Sequence, residues 1–193
     1  TTSAIARMNL HLHGAEDFYI FRGDTLRHPA FIAHDKLRTF DCVISNPPFS
    51  LENWGDDIWE SDPFGRNFLG VPPNSSGDFA WIEHMIKSMK HRTGRMAVVL
   101  PQGVLFRAAK EEKIRQALLE TDLLDTVIGL GPNLFYGTGL SACILVLRMT
   151  KEEQHKGKVQ FVDASAIYKR GRAQNELIPE HIDKIYELAT EYK

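Results

Sequence analysis

The sequence has no apolar run approaching the ~20 residues that a membrane-spanning helix requires, and its first residues lack the layout of a secretion signal. A membrane role is therefore not expected. Cysteine is scarce. The two present, Cys42 and Cys143, lie in apolar, strand-like runs and are expected as small buried hydrophobes in a reducing compartment. The eight histidines show neither His-Glu-x-x-His nor Cys/His ligand spacing, so no metal site is expected. His11 and His13, either side of Leu12 near a helix end, read as a solvated pattern. Excess positive charge is missing too. The formal net charge is −2, whereas a protein that grips DNA by itself shows a basic footprint. If the chain works on DNA, another segment or subunit must supply much of the attraction.

What is present is an ordinary globular composition, 43% hydrophobic and 25% charged, on a chain long enough for one domain with a real core. Residues 1–14 predict a helix with Ile5, Met8 and Leu12 on one face and Gly14 as its stop. Residues 17–22 predict a strand, with Asp24 just past its carboxyl end. That aspartate is either a turn residue bonding its own backbone or a ligand-binding acid at the mouth of a sheet. Residues 40–45 predict a buried strand. Residues 51–76 are too rich in Gly and Pro for a regular element, yet carry Trp54 and Trp59, so a long ordered loop is expected. Asp78 is a candidate N-cap for a helix over 79–90. A strand over 95–100 stopped by Pro101, a helix over 108–120, and strands over 123–130, 141–149 and 159–163 follow. An amphipathic helix over 179–192 closes the chain, with Ile182, Ile185, Ala189 and Tyr192 on its stripe. Alternating strands and helices predict an α/β fold with a largely parallel sheet, its adjacent last two strands antiparallel.

One stretch organises the rest. Asn46-Pro47-Pro48-Phe49 halts the 40–45 strand abruptly, because consecutive prolines offer no N–H to a ladder and fix their own φ. Open α/β sheets place ligands at the carboxyl ends of their strands. The exocyclic amine of adenine is a poor nucleophile, since its lone pair is delocalised into the ring. Two acceptors aimed at its N–H bonds turn the nitrogen toward sp³ character and draw off the charge that develops on attack. Asn46 offers a side-chain carbonyl and Pro47 a backbone carbonyl held rigid by Pro48. Phe49 offers a flat face for an unstacked base. No general base is needed before attack. The bland alternative is a rigid strand-terminating turn.

Asn46-Pro47-Pro48-Phe49 after an apolar strand resembles the (Asn/Asp)-Pro-Pro-(Tyr/Phe) motif of S-adenosylmethionine-dependent amino-methyltransferases. The wider chain resembles the methylation subunits of type I restriction–modification systems. That likeness is carried by Gly23-Asp24-Thr25-Leu26, Gly77-Asp78-Phe79-Ala80-Trp81, Gly103-Val104-Leu105-Phe106, Asn133-Leu134-Phe135-Tyr136-Gly137-Thr138-Gly139 and Gly171-Arg172-Ala173-Gln174-Asn175. It implies a Rossmann-like sheet with flanking helices and site-specific adenine-N6 methylation of double-stranded DNA. It implies S-adenosylmethionine as methyl donor, with no metal for the transfer. The partners implied are a specificity subunit and a restriction subunit, in the cytoplasm of a bacterium or archaeon. It also implies cofactor contact by Asp24 and Asn46, and handling of the target base by Asn46, Pro47, Pro48 and Phe49.

One departure stands out. The family's glycine-rich cofactor loop lies on a first strand well before the Asn-Pro-Pro motif, and only 45 residues precede Asn46 here. Residues 135–139 match that loop's Phe-x-Gly-x-Gly pattern, but they enter a strand and fit better beside the target-base pocket. The first strand and its glycine loop are thus expected to be absent. The chain reads as a fragment, with residues 1–149 a partial catalytic domain and 150–193 an extension of strand and helix. A fragment of this kind is expected to be inactive alone. Alternatives are an amino-methyltransferase acting on a glutamine side chain or on RNA, or a non-catalytic interaction fragment. The basic run 169–172 reads as a solvated loop or as a phosphate contact.

Overall fold

The computed structural model describes residues 2–191. Helix α1 (Thr2–Leu12) ends as expected at Gly14, whose φ of +75° reverses the chain while Ala15 donates to the Leu10 carbonyl at 3.0 Å. Its apolar stripe is not packed: no residue of the helix is buried, and Leu12 is 78% exposed. The strand expected over 17–22 does not form. That segment has no regular secondary structure, and no ladder bond ties it to another strand among the described residues. Alternation of apolar and polar residues specifies a strand only where a partner offers its backbone. Two short strands follow instead, β1 (Ile32–Ala33) and β2 (Lys36–Leu37), antiparallel about His34 and Asp35, both at positive φ as a tight hairpin turn requires.

The scaffold is a five-stranded sheet in the order β3–β4–β6–β5–β7. Its strands are β3 (Cys42–Ser45), β4 (Arg95–Pro101), β5 (Leu124–Leu130), β6 (Ala142–Arg148) and β7 (Gln160–Ala164). β3 runs parallel to β4 and β5 parallel to β7, while β6 is antiparallel to both of its neighbours. Ser45 stands opposite Val98, Pro101 opposite Ala142, and Leu130 opposite Ala164. The carboxyl ends of β3, β4, β5 and β7 therefore converge on one end of the sheet, together with the loop from β5 to β6. The expected class, α/β with a Rossmann-like sheet, forms, but the sheet is mixed rather than largely parallel. Its last two strands are not neighbours: β7 lies against β5, and β6 is inserted antiparallel between β4 and β5.

β3 is an edge strand rather than a buried one, with Ile44 76% exposed. Cys42 is exposed in consequence, contrary to expectation, whereas Cys143 on central β6 is fully buried. Burial pushes the Cys143 thiol up to about 12, the nearby Asp78 charge adding to the effect, so it holds its proton.

Helix α2 (Asp56–Trp59) sits inside the long 51–76 segment, which is ordered as the tryptophans suggested: Trp54 and Trp59 meet edge to face at 5.1 Å and are buried with Leu26 and Ala80. Helices α3 (Asp78–Lys87) and α4 (Lys110–Glu120) bury Phe79, Ile82, Ile114 and Leu118 in one cluster with Met96, Val98 and Leu145 of the sheet. Helix α5 (Pro179–Thr190) packs Ile185 into a second cluster with Ile128, Leu130 and Val162. Fully burying side chains of this size contributes about 1.5–3 kcal/mol each. Tyr192, expected on the stripe of α5, lies outside the described residues.

Candidate active site

The chain leaves β3 through Asn46, Pro47 and Pro48, outside any regular element, and turns at Phe49 and Ser50. Pro47 is buried and anchors the turn, while Asn46 is exposed at the converged strand ends. Among the described residues the Asn46 amide makes no hydrogen bond, so its carbonyl is free to accept from a ligand.

Asp78 is not the N-cap of α3. Gly77 takes that position, and the Asp78 carboxylate, wholly buried in the first helical turn, reaches across to the turn after Phe49. Its Oδ1 accepts the Ser50 N–H at 2.8 Å and its Oδ2 pairs with Arg107 Nη2 at 2.7 Å. Arg107 Nη1 donates to Glu111 Oε1 and to Ser76 Oγ, both at 2.8 Å. Burial raises the Glu111 carboxyl above its ordinary range, against the lowering pull of Arg107. Gly103 makes room for this network, since a Cβ there would meet Arg107 Nε at 2.7 Å. The backbone that aims Asn46 and Phe49 is thus fixed by a buried carboxylate two elements further along the chain.

The aromatic ring of Phe49 meets that of Phe135 at 5.8 Å and 69°, bringing the 131–139 loop to the Asn-Pro-Pro-Phe turn as expected. Four hydrogen bonds brace this loop against residues 173–175. Asn175 N donates to Asn133 O at 2.9 Å, and Asn133 Nδ2 to Ala173 O at 3.1 Å. Gln174 Nε2 donates to Leu134 O and Asn175 Nδ2 to Pro132 O, both at 2.8 Å.

Asp24 bonds its own turn. Its Oδ1 accepts the N–H groups of Leu26 and Arg27, each at 3.1 Å, and its Oδ2 lies 3.7 Å from Arg27 Nε. Its neighbours Gly23 and Thr25 line a cavity of about 280 Å³, shared with Ile44 and Ser45 of β3 and with Trp81 and Met85 of α3. The two stretches singled out by sequence, around Asp24 and around Asn46, therefore meet at one cavity, although neither of those side chains lines it.

Arg66 holds the Asp24 side. It is 1% exposed, pairs with Asp62 Oδ1 at 2.6 Å, and donates to the carbonyls of Thr25 at 3.2 Å and Leu26 at 2.9 Å. Its guanidinium lies 4.2 Å from the centre of the Trp59 ring. His84 beside it stays neutral, lowered to about 4 by burial and the Arg66 charge. Burial raises the adjacent Glu83 to about 8, with Oε1 accepting the Leu69 N–H at 3.0 Å. Sequence reasoning missed Arg66, Arg107 and the reach of Asp78. Asp62 and Arg66 are four residues apart, but they lie in a run of turns where that spacing carries no helical signal. The other two meet through space.

The class defined by this arrangement is a Rossmann-like α/β sheet with an Asn-Pro-Pro-Phe turn at its converged strand ends. The chain belongs to the N-6 DNA methylase family, whose model matches residues 1–193. It is 34% identical over 195 residues to the type I restriction enzyme MjaVII methylase subunit of Methanocaldococcus jannaschii, covering 95% of this chain and 33% of that one. It is 32% identical to the type I restriction enzyme HindI methylase subunit of Haemophilus influenzae, covering 96% and 40%. Among solved structures it superposes on a type I restriction–modification methyltransferase subunit from Streptococcus thermophilus with a TM-score of 0.86 and 35% identity, over 98% of this chain and 40% of that one. The chain thus spans between a third and two fifths of the length of these relatives. The resemblance stated from its motifs is upheld.

Proposed function

We propose that this chain carries the target-base side of the active site of a type I methylation subunit, presenting an adenine amine for methyl transfer to N6 of double-stranded DNA. One observation carries the reading. The unpartnered amide of Asn46 projects at the carboxyl end of β3 next to the Phe49–Phe135 ring pair, from a backbone pinned by Asp78. In this reading Asn46 Oδ1 and the Pro47 carbonyl accept the two amine protons of a flipped adenine, Pro48 locks the carbonyl, and Phe49 stacks on the base. S-adenosylmethionine supplies an electrophilic methyl group. The cavity between the Gly23–Thr25 turn and β3 has the apolar, aromatic lining that suits a purine, so its lining residues fit the adenosine end of the donor, while Asp24 holds the turn that forms its rim. Asn46 completes the contact from the base side. Residues 1–149 form the catalytic part and 150–193 an extension that braces it. The specificity and restriction subunits, in the cytoplasm of a bacterium or archaeon, complete the enzyme.

Among the described residues no glycine-rich turn joins a strand to a helix before β3. That observation favours a second reading for residues 1–193 taken alone, a folded piece that binds the donor weakly. Calorimetric titration of this stretch with S-adenosylmethionine is expected to show weak or undetectable binding, and micromolar affinity would contradict it. The reading as a whole is tested by incubating the full-length subunit and its specificity partner with methyl-labelled S-adenosylmethionine and duplex DNA. Label is expected on adenine N6 after hydrolysis of the DNA. Unlabelled DNA, or label confined to protein glutamine, would overturn it.

A further inference from the structure

Residues 169–176 form a hairpin closed by reciprocal backbone bonds between Lys169 and Glu176, at 2.9 and 3.0 Å. Its tip is tight, since a Cβ on Gly171 would lie 1.8 Å from the Gln174 carbonyl oxygen. Lys169, Arg170 and Arg172 are exposed there, and none makes an ion pair among the described residues. Glu176 is the hairpin's one carboxylate. A local excess of cation in a chain of net charge −2 is a departure from the chain's own average. The four bonds from Asn133, Gln174 and Asn175 weld this hairpin to the loop that carries Phe135. At that loop's tip Tyr136 is 94% exposed, one residue from the ring that meets Phe49. A cleft of about 410 Å³ between loop and hairpin is lined by Leu134, Phe135, Tyr136, Gln174 and Glu176 among others.

We propose that hairpin and loop form one DNA-facing surface, on which Lys169, Arg170 and Arg172 take backbone phosphates while Tyr136 stacks on a base beside the target adenine. The proposal rests on the DNA reading above. The charges sit on a frame that is hydrogen-bonded to the base-handling loop, so a phosphate grip there fixes the register of the duplex against Asn46. The bracing bonds use backbone and amide groups rather than the cations, so removing the charges leaves the frame intact. A tyrosine ring exposed on both faces suits base stacking, which tolerates any sequence.

The test uses the full-length subunit assembled with its specificity partner and measures duplex affinity between 50 and 200 mM salt. The triple variant K169A/R170A/R172A is expected to lower the slope of log affinity against log salt by about 2–3, because each neutralised phosphate contributes roughly 0.9. Across that range its affinity should fall about 40-fold less than that of the unmodified protein. Tyr136→Ala should weaken binding about tenfold at fixed salt with an unchanged slope, and Tyr136→Phe should restore it. An unchanged slope in the triple variant overturns the surface, as does loss of the specificity subunit from the complex, which would make the hairpin a protein contact. If the unmodified complex binds DNA with the expected slopes but transfers no methyl group, the enzymatic reading fails and the surface stands. If methyl transfer occurs and the slopes do not move, the surface alone fails.

Discussion

Two turns face the candidate site, one after Gly23 and one after Phe49, and each is held by an arginine paired with a carboxylate. The pairs sit in different surroundings. Arg66 and Asp62 have side chains 1% and 2% exposed and meet at 2.6 Å. Arg107 is 27% exposed against a wholly buried Asp78, at 2.7 Å. A dry pair is stable only if every remaining polar group is met, and Arg66 achieves this with two carbonyls and the Trp59 ring. The half-wet pair leaves Arg107 access to solvent and to Glu111. The comparison teaches that the turn beside Asp24 is fixed by an interaction that tolerates no deletion. The turn beside Asn46 is fixed by one that can partly re-form.

The largest effect should follow breaking the dry pair. Arg66→Ala leaves the Asp62 carboxylate buried without its partner and should lower the unfolding free energy of the full-length subunit by about 3–5 kcal/mol in urea titration. A cost below 1 kcal/mol would erase the distinction between the two clamps.

Breaking the half-wet clamp should cost less and be read in chemistry. Asp78→Ala removes the acceptor of the Ser50 N–H and should cost about 1–3 kcal/mol. It should lower kcat for methyl transfer while leaving KM for S-adenosylmethionine unchanged, with Asp78→Asn retaining more activity because it keeps an acceptor. A change in that KM alone would move Asp78 to the other half of the site.

A third prediction concerns pH. Burial raises Glu83 from 4.5 to about 8, so between those values the folded protein holds a proton that the unfolded chain releases, and stability falls as pH rises. His84 is lowered from 6.5 to about 4, so between those values the unfolded chain binds the extra proton and stability rises with pH. The two slopes oppose one another up to pH 6.5, and above it that of Glu83 acts without the other. Glu83→Gln should therefore flatten the decline between pH 6.5 and 8 in urea titrations at stepped pH. A persisting slope would assign it elsewhere.

The same contrast separates what the sequence made legible. Strands β4, β5 and β6 and helices α3, α4 and α5 follow from apolar periodicity, because each buries a face against neighbours also present. The 17–22 segment and the exposure of β3 were not legible, since periodicity records which side chains prefer burial and not whether a partner strand lies alongside. Asn46-Pro47-Pro48-Phe49 was found at once because its residues are consecutive and two prolines mark a stop. Asp78 looked like a cap because its true partners, Ser50 and Arg107, are 28 and 29 residues away. Arg66 was hidden in a loop where no period exists to make it stand out.

The role given to Asn46 is tested most directly by single-turnover methyl transfer from S-adenosylmethionine to a duplex carrying the recognition site. The assay uses the full-length subunit with its specificity partner. Asn46→Ala should lose transfer by at least about 10²–10³-fold, the scale of removing one group aimed at developing charge, with duplex affinity within about twofold of the unmodified protein. Transfer retained within tenfold by that variant would contradict the assignment.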